Sequence, residues 1–212
     1  MPVKRIAVFA TGDGTNFQAV IDAVADGSIP GKIVCLIYNR KAAYAAERAR
    51  LAGIPAIYIN RKSCSTQEAF EAKIQQTLRH YEADVLVLAG WLDIVGSETV
   101  KYYQNRIVNT HPALIPAFCG MGMYGHHVHE AVIAHGAKVS GCTIHLVEEG
   151  VDTGPIIFQQ AVEVLPDDTA DTLAARILPH EHRLLVEAVR LICEDRIVVE
   201  GRRVVVTPPV TS

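Results

Sequence analysis

The chain lacks most of the features that would put it in a specialised class. Its five cysteines, Cys35, Cys64, Cys119, Cys142 and Cys193, include no CxxC pair and are odd in number. This speaks against a disulfide framework and for a reducing, cytoplasmic setting. No apolar run approaches the roughly 20 residues needed to span a membrane. The short apolar run after Lys4 and Arg5 is too brief for a secretory signal and reads as a strand. An excess of positive charge is missing as well: the formal net charge is -3, so nothing global recruits nucleic acid. No internal repeat, low-complexity segment or linker divides the chain, so residues 1–206 are expected to form one domain and 207–212 a frayed C-terminal tail.

What is present is an alternation of strand and helix patterns. Apolar runs at 6–10, 33–38, 55–59, 84–88 and 106–109 read as buried strands, and the stretches near 17–24, 42–51 and 66–81 follow helical spacing. Buried runs separated by helices predict an α/β fold: a Rossmann-like, mostly parallel sheet with helices on both faces. The second half changes character. Segments 138–147 and 155–164 predict an antiparallel strand pair at the end of the sheet. A long helix over 169–194 and a small hairpin over 196–206 follow.

In such sheets ligands bind beyond the carboxyl ends of the strands. Three polar clusters fall there, at 11–16, 90–93 and 109–111. Gly12-Asp13-Gly14-Thr15-Asn16 is either a phosphate cradle of backbone amides and side-chain donors or a tight turn capped by Thr15 or Asn16. A dinucleotide fingerprint would need a glycine where Phe17 stands and an acid where Asn39-Arg40-Lys41 stands. NAD is therefore disfavoured, while the Arg40–Lys41 pair leaves an NADP-binding reductase as an alternative. Asn109-Thr110-His111-Pro112 places an amide and an imidazole two residues apart, facing one side of a strand end, and Pro112 holds His111 extended. Asp152, in Gly150-Val151-Asp152-Thr153-Gly154-Pro155, fits a turn equally well. His126 and His129 have helical spacing for a metal, but no third ligand accompanies them and no metal is expected. In His180-Glu181-His182 the acid faces either a cleft or solvent.

The segments GDGTN at 12–16, LAG at 88–90, NTHPALIP at 109–116 and GVDTGPII at 150–157, in this order, resemble the folate-dependent formyltransferases. The short phosphate loop and the Glu181-His182 pair narrow the resemblance to the phosphoribosylglycinamide formyltransferase family, across nearly the whole chain. It implies a one-carbon transferase of purine biosynthesis that moves the formyl group of 10-formyltetrahydrofolate to glycinamide ribonucleotide, acting as a monomer or homodimer. Asn109, His111 and Asp152 would be catalytic. Gly12, Asp13, Gly14, Thr15, Asn16, Gly90 and Glu181 would hold the ribonucleotide. Gln67, Leu92, Asp93, Ile94, Val95, Asn109, Val147, Glu149 and Val151 would line the folate site.

Two departures stand out: the family often has basic residues at the positions of Gln67 and Asp93, and the Gly- and Met-rich loop 118–127 differs from the bacterial pattern. Among relatives of this chemistry, a methionyl-tRNA formyltransferase would need a further basic domain, and a formyltetrahydrofolate hydrolase an additional N-terminal one. Asp152 is expected to raise the pKa of His111 and keep it cationic near neutral pH.

Overall fold

The computed structural model describes residues 3–209, so the last three residues of the expected tail lie outside the described residues. The elements run β1 (Lys4–Ala10), α1 (Thr15–Ala25), β2 (Gly31–Tyr38), α2 (Ala45–Leu51), β3 (Ala56–Tyr58), α3 (Gln67–His80), β4 (Val85–Leu88), α4 (Ser97–Tyr102), β5 (Ile107–His111), α5 (His126–Ala134), β6 (Val139–Leu146), β7 (Ile156–Glu163), α6 (Ala170–Cys193), β8 (Ile197–Glu200) and β9 (Arg203–Val206). They build one sheet in the order β3-β2-β1-β4-β5-β6-β7-β9-β8. The first five strands of that order are parallel, and β6 and β7 run antiparallel to their predecessors.

The apolar runs are explained by burial on both faces. In β1, Ile6, Val8 and Ala10 enter one core with Phe17 of α1 and Leu185 of α6. Ala7 and Phe9 enter the other with Phe70, Ile74 and Leu78 of α3. Each of these strand positions is fully buried, which is why alternation disappears from β1. The helix starts follow local chemistry. The Thr66 hydroxyl accepts from the Ala69 amide at 3.1 Å, and Thr169 forms a reciprocal capping box with Thr172. Pro179 lies inside α6 and lacks the amide that would bond to the Ala175 carbonyl.

One expectation needs correction. The antiparallel pair β6–β7 does not end the sheet, because β9 adds to β7 in parallel at Ile156 and Arg203 and β8 forms the edge. The hairpin docks because Ile197, Val199 and Val204 pack on the α6-side core. The chain order reverses across β1 and β4, and this opens the crevice at their carboxyl ends. There the Thr11 amide donates to the Gly90 carbonyl at 3.1 Å and the Thr11 hydroxyl accepts from the Leu92 amide at 3.0 Å. Two of the three polar clusters are thereby bonded to each other.

His129 of α5 is buried, and its Nδ1 has no partner among the described residues. Burial, with the nearby His126 and His111 charges, pushes its pKa from the ordinary 6.5 to about 4. A depressed histidine is neutral in the fold while the unfolded chain takes up the proton. Its stability contribution is therefore intact above 6.5 and lost progressively as pH falls toward 4. His129→Leu removes this acid sensitivity. In urea unfolding the wild type loses roughly 2 kcal/mol more than the variant between about pH 7.5 and about pH 5. Parallel pH profiles would count against the assignment.

Candidate active site

The antiparallel register of β5 and β6 sets Asn109 opposite His145 and His111 opposite Thr143. The Asn109 Nδ2 lies 3.1 Å from His145 Nε2. His145 Nδ1 lies 2.9 Å from the Leu146 carbonyl, which can only accept. The ring hydrogen therefore sits on Nδ1, and in the neutral ring Nε2 accepts from Asn109. Asp152 enters from the β6–β7 turn with its backbone in the left-handed region, at φ 56. Its Oδ2 accepts from the Gly120 amide at 3.0 Å and stands 3.5 Å from His111 Nδ1. Its Oδ1 stands 3.6 Å from His145 Nε2. His111 Nε2 donates to the Phe118 carbonyl at 2.8 Å. The carboxylate is thus bracketed by two buried imidazoles and a backbone amide.

Burial pushes the Asp152 carboxyl up, but His145, the Gly120 amide and His111 favour its charged form and hold it below the ordinary carboxylate value. For His111 the balance goes the other way. Burial, the largest cause, and the nearby His145 together lower its pKa by more than Asp152 and the Phe118 carbonyl raise it. The expectation of a cationic His111 is therefore corrected: desolvation outweighs the carboxylate, and the free site favours the neutral ring.

At the adjoining strand end Gly14 caps α1 with φ 71, with no side-chain cap and no acid in the first turn. Thr15 and Asn16 lie inside the helix, so neither acts as cap. A Cβ at position 14 would meet the Ala45 Cβ at 2.8 Å, on top of the backbone strain. The open amides of the helix start suit an anion. Asn16 Nδ2 donates to Glu181 Oε2 at 3.0 Å, and Asn16 Oδ1 is buried without a partner among the described residues. The start of α1 and the α6 acid are therefore joined directly.

A model of the formyl transferase family matches residues 4–189. The chain belongs to that family. It is 44% identical over 195 residues to the chloroplastic phosphoribosylglycinamide formyltransferase of Vigna unguiculata, covering 92% of this chain and 62% of that one. It is 36% identical to phosphoribosylglycinamide formyltransferase of Bacillus subtilis, over 85% of this chain and 90% of that one. Glycinamide ribonucleotide transformylase 1 from Symbiobacterium toebii superimposes with a TM-score of 0.92 at 43% identity, covering 97% of this chain and 95% of that one.

In this formyl transferase the segments expected to meet folate divide by exposure. Leu92, Ile94 and Val151 are exposed apolar side chains around the crevice, whereas Val95 is buried in the α3-side core and offers a ligand only its backbone. Val147 is half-buried against the same core. Asp93 accepts from Asn39 at 2.7 Å, Gln67 accepts from Arg61 at 2.6 Å, and Glu149 pairs with Lys101 at 3.6 Å. The acidic and neutral side chains at 93 and 67 are therefore held by protein partners. Among the described residues no group of three or more His, Cys, Asp or Glu is placed to hold a metal. His126 instead pairs with Asp171 at 3.6 Å and Glu130 at 3.8 Å.

Sequence reasoning missed His145 and Thr143. Thr143 is fully buried, donates to the Ala113 carbonyl at 2.7 Å and accepts from the Ile115 amide at 3.1 Å. It fixes the backbone just beyond His111. The available signal was two polar residues with period-two spacing, Thr143 and His145, inside a buried strand.

Glu181 is 7% exposed, and burial raises its pKa above the ordinary 4.5 while Asn16 partly offsets this. A raised carboxyl is destabilised as pH climbs past its unfolded value, because the unfolded chain ionises first. Glu181→Gln keeps an acceptor for Asn16 and removes the buried charge. Its thermal midpoint near neutral pH is expected to exceed the wild type's by a few degrees, with the gap closing toward pH 4.5. A lower midpoint at neutral pH would contradict this.

Proposed function

We propose that this formyl transferase moves the formyl group of 10-formyltetrahydrofolate to the amine of glycinamide ribonucleotide, giving formylglycinamide ribonucleotide in de novo purine biosynthesis. The observation that carries the reading is the Asp152 carboxylate 3.5 Å from His111 and 3.6 Å from His145, beside Asn109, at the same sheet end as the Gly14 amide cradle. The names of the relatives support the same acceptor and the transfer of a formyl group. The reaction runs in the cytoplasm, on a monomer or homodimer and without a metal; the five free cysteines fit a reducing compartment.

Gly12, Asp13, Gly14, Thr15 and Asn16 receive the acceptor's phosphate, and Gly90 and Glu181 meet its ribose and glycinamide portion. Leu92, Ile94 and Val151 give the folate an apolar surface, with Val95 contributing backbone, and Gln67, Asp93, Val147 and Glu149 complete the lining. The exposed apolar side chains and the buried, unpartnered Asn39 Oδ1 beside Asp93 fit a ligand with both apolar and polar edges. The co-substrate supplies an activated formyl carbon to the acceptor amine.

The chain's own groups then handle charge and protons. Asn109 Nδ2 carries two hydrogens, and the one not given to His145 is free for the formyl oxygen as it takes up negative charge. His111 holds a hydrogen on Nε2, and the formyl oxygen replaces the Phe118 carbonyl as its acceptor. The growing negative charge raises the imidazole pKa, so the ring takes up a solvent proton on Nδ1, facing Asp152, and releases it to solvent when the carbonyl re-forms. His145 fixes the Asn109 amide in its donating orientation. Asp152 holds a water that takes the proton leaving the attacking nitrogen and returns one to the departing folate nitrogen.

The direct test mixes purified protein, glycinamide ribonucleotide and 10-formyltetrahydrofolate and follows tetrahydrofolate release. Release that depends on the ribonucleotide is expected, and equal release without it would mean a hydrolase. His111→Ala and Asp152→Asn are expected to lose about 10²–10³-fold in kcat while keeping wild-type circular dichroism. Near-wild-type turnover in either variant would overturn the roles of His111 and Asp152.

A further inference from the structure

The turn at 12–14 is held from outside. The Gly12 carbonyl accepts from the Ala45 amide at 3.2 Å, at the start of α2. The next carbonyl, that of Asp13, accepts from the Arg48 Nε at 2.8 Å. In a trans peptide the amide points opposite to its carbonyl. Anchoring these two carbonyls on α2 therefore turns the amides of Asp13 and Gly14 away from α2.

Arg48 is well placed to be more than a local tie. Its Nη1 donates to Gln18 Oε1 at 3.0 Å, which joins α2 to the first turns of α1. Its guanidinium lies over the Tyr44 ring at 5.0 Å, so the side chain is held in one orientation. It makes no ion pair among the described residues. Its charge is therefore not consumed by a carboxylate, and it lowers the pKa of His182 on α6, second to burial. Asp13 places an exposed carboxylate in the turn itself, where an incoming phosphate would be repelled. A fixed cation behind the turn offsets that repulsion.

We propose that Arg48 is a positioning residue of the acceptor-phosphate cradle: by gripping the Asp13 carbonyl it keeps the Gly14 amide turned to the phosphate, and it sets the preference for a 5′-phosphorylated acceptor over the same acceptor without phosphate. This rests on the formyl-transfer reading. Arg48 has no contact with the reacting atoms and acts through the loop.

The experiment compares wild type, Arg48→Met and Arg48→Lys on glycinamide ribonucleotide and on its dephosphorylated riboside, with 10-formyltetrahydrofolate saturating. Arg48→Met keeps the apolar stem over Tyr44. Losing one charge-assisted amide contact is expected to cut the phosphorylated-to-dephosphorylated ratio of kcat/KM about 10- to 100-fold, with the loss carried by KM. Arg48→Lys retains the charge but not the two-point fork, and should recover part of the ratio. An unchanged ratio, or an equal fall on both acceptors with a lowered thermal midpoint, would show a merely structural role and overturn the proposal. Calorimetric binding of glycinamide ribonucleotide alone separates the two readings. If wild type binds it more tightly than Arg48→Met but turns nothing over, the transfer reading fails and the Arg48 assignment stands. Equal binding by the two proteins overturns the assignment whatever the turnover.

Discussion

The site depends on a carboxylate kept charged between two imidazoles in a buried place. The cost of burying Asp152 is offset by the Gly120 amide on one oxygen, with the His111 ring beside that oxygen and the His145 ring beside the other. The arrangement works only while all three partners keep their positions. The antiparallel register of β5 against β6 fixes the two histidines. The left-handed backbone at Asp152 brings the carboxylate back over them. A slip of one residue in that register would send His145 to the opposite face of the sheet and leave the carboxylate with one imidazole.

Among the described residues several buried polar atoms lack partners near the carboxyl ends of the parallel strands. The buried polar atoms without partners include Asn16 Oδ1, Asn39 Oδ1 and Trp91 Nε1, all at or next to the carboxyl ends of β1, β2 and β4. Each such atom costs about 1–3 kcal/mol of stability. Glu181 adds a buried carboxyl with a single neutral partner. The opposite arrangement holds in the two cores, where β1 and β4 are sealed by apolar side chains on both faces. The cores thus carry the stability that offsets these unpartnered groups.

Much of this was legible in the residues themselves. The five parallel strands announced themselves as unbroken apolar runs because both of their faces are covered. The polar clusters at 11–16, 90–93 and 109–111 stood out because they interrupt those runs at the crevice. What stayed hidden depends on pairing between distant segments. Asp152 looked like a turn aspartate, since nothing local shows that it folds back onto His111. His145 acquires its role only through the register with Asn109. The docking of β9 on β7 rests on one parallel pairing, Ile156 with Arg203, which no periodicity reveals. The neutral state of His111 is also a tertiary property: an acid nearby suggests a raised pKa, and only the depth of burial reverses the sign.

The most direct measurement of the central arrangement is the titration of the His111 ring by nitrogen NMR in the unliganded wild type and in Asp152→Asn. If the carboxylate faces this imidazole, its removal takes away a stabiliser of the charged ring, and the His111 pKa falls further below its wild-type value. A His111 titration that does not move in Asp152→Asn would contradict the account.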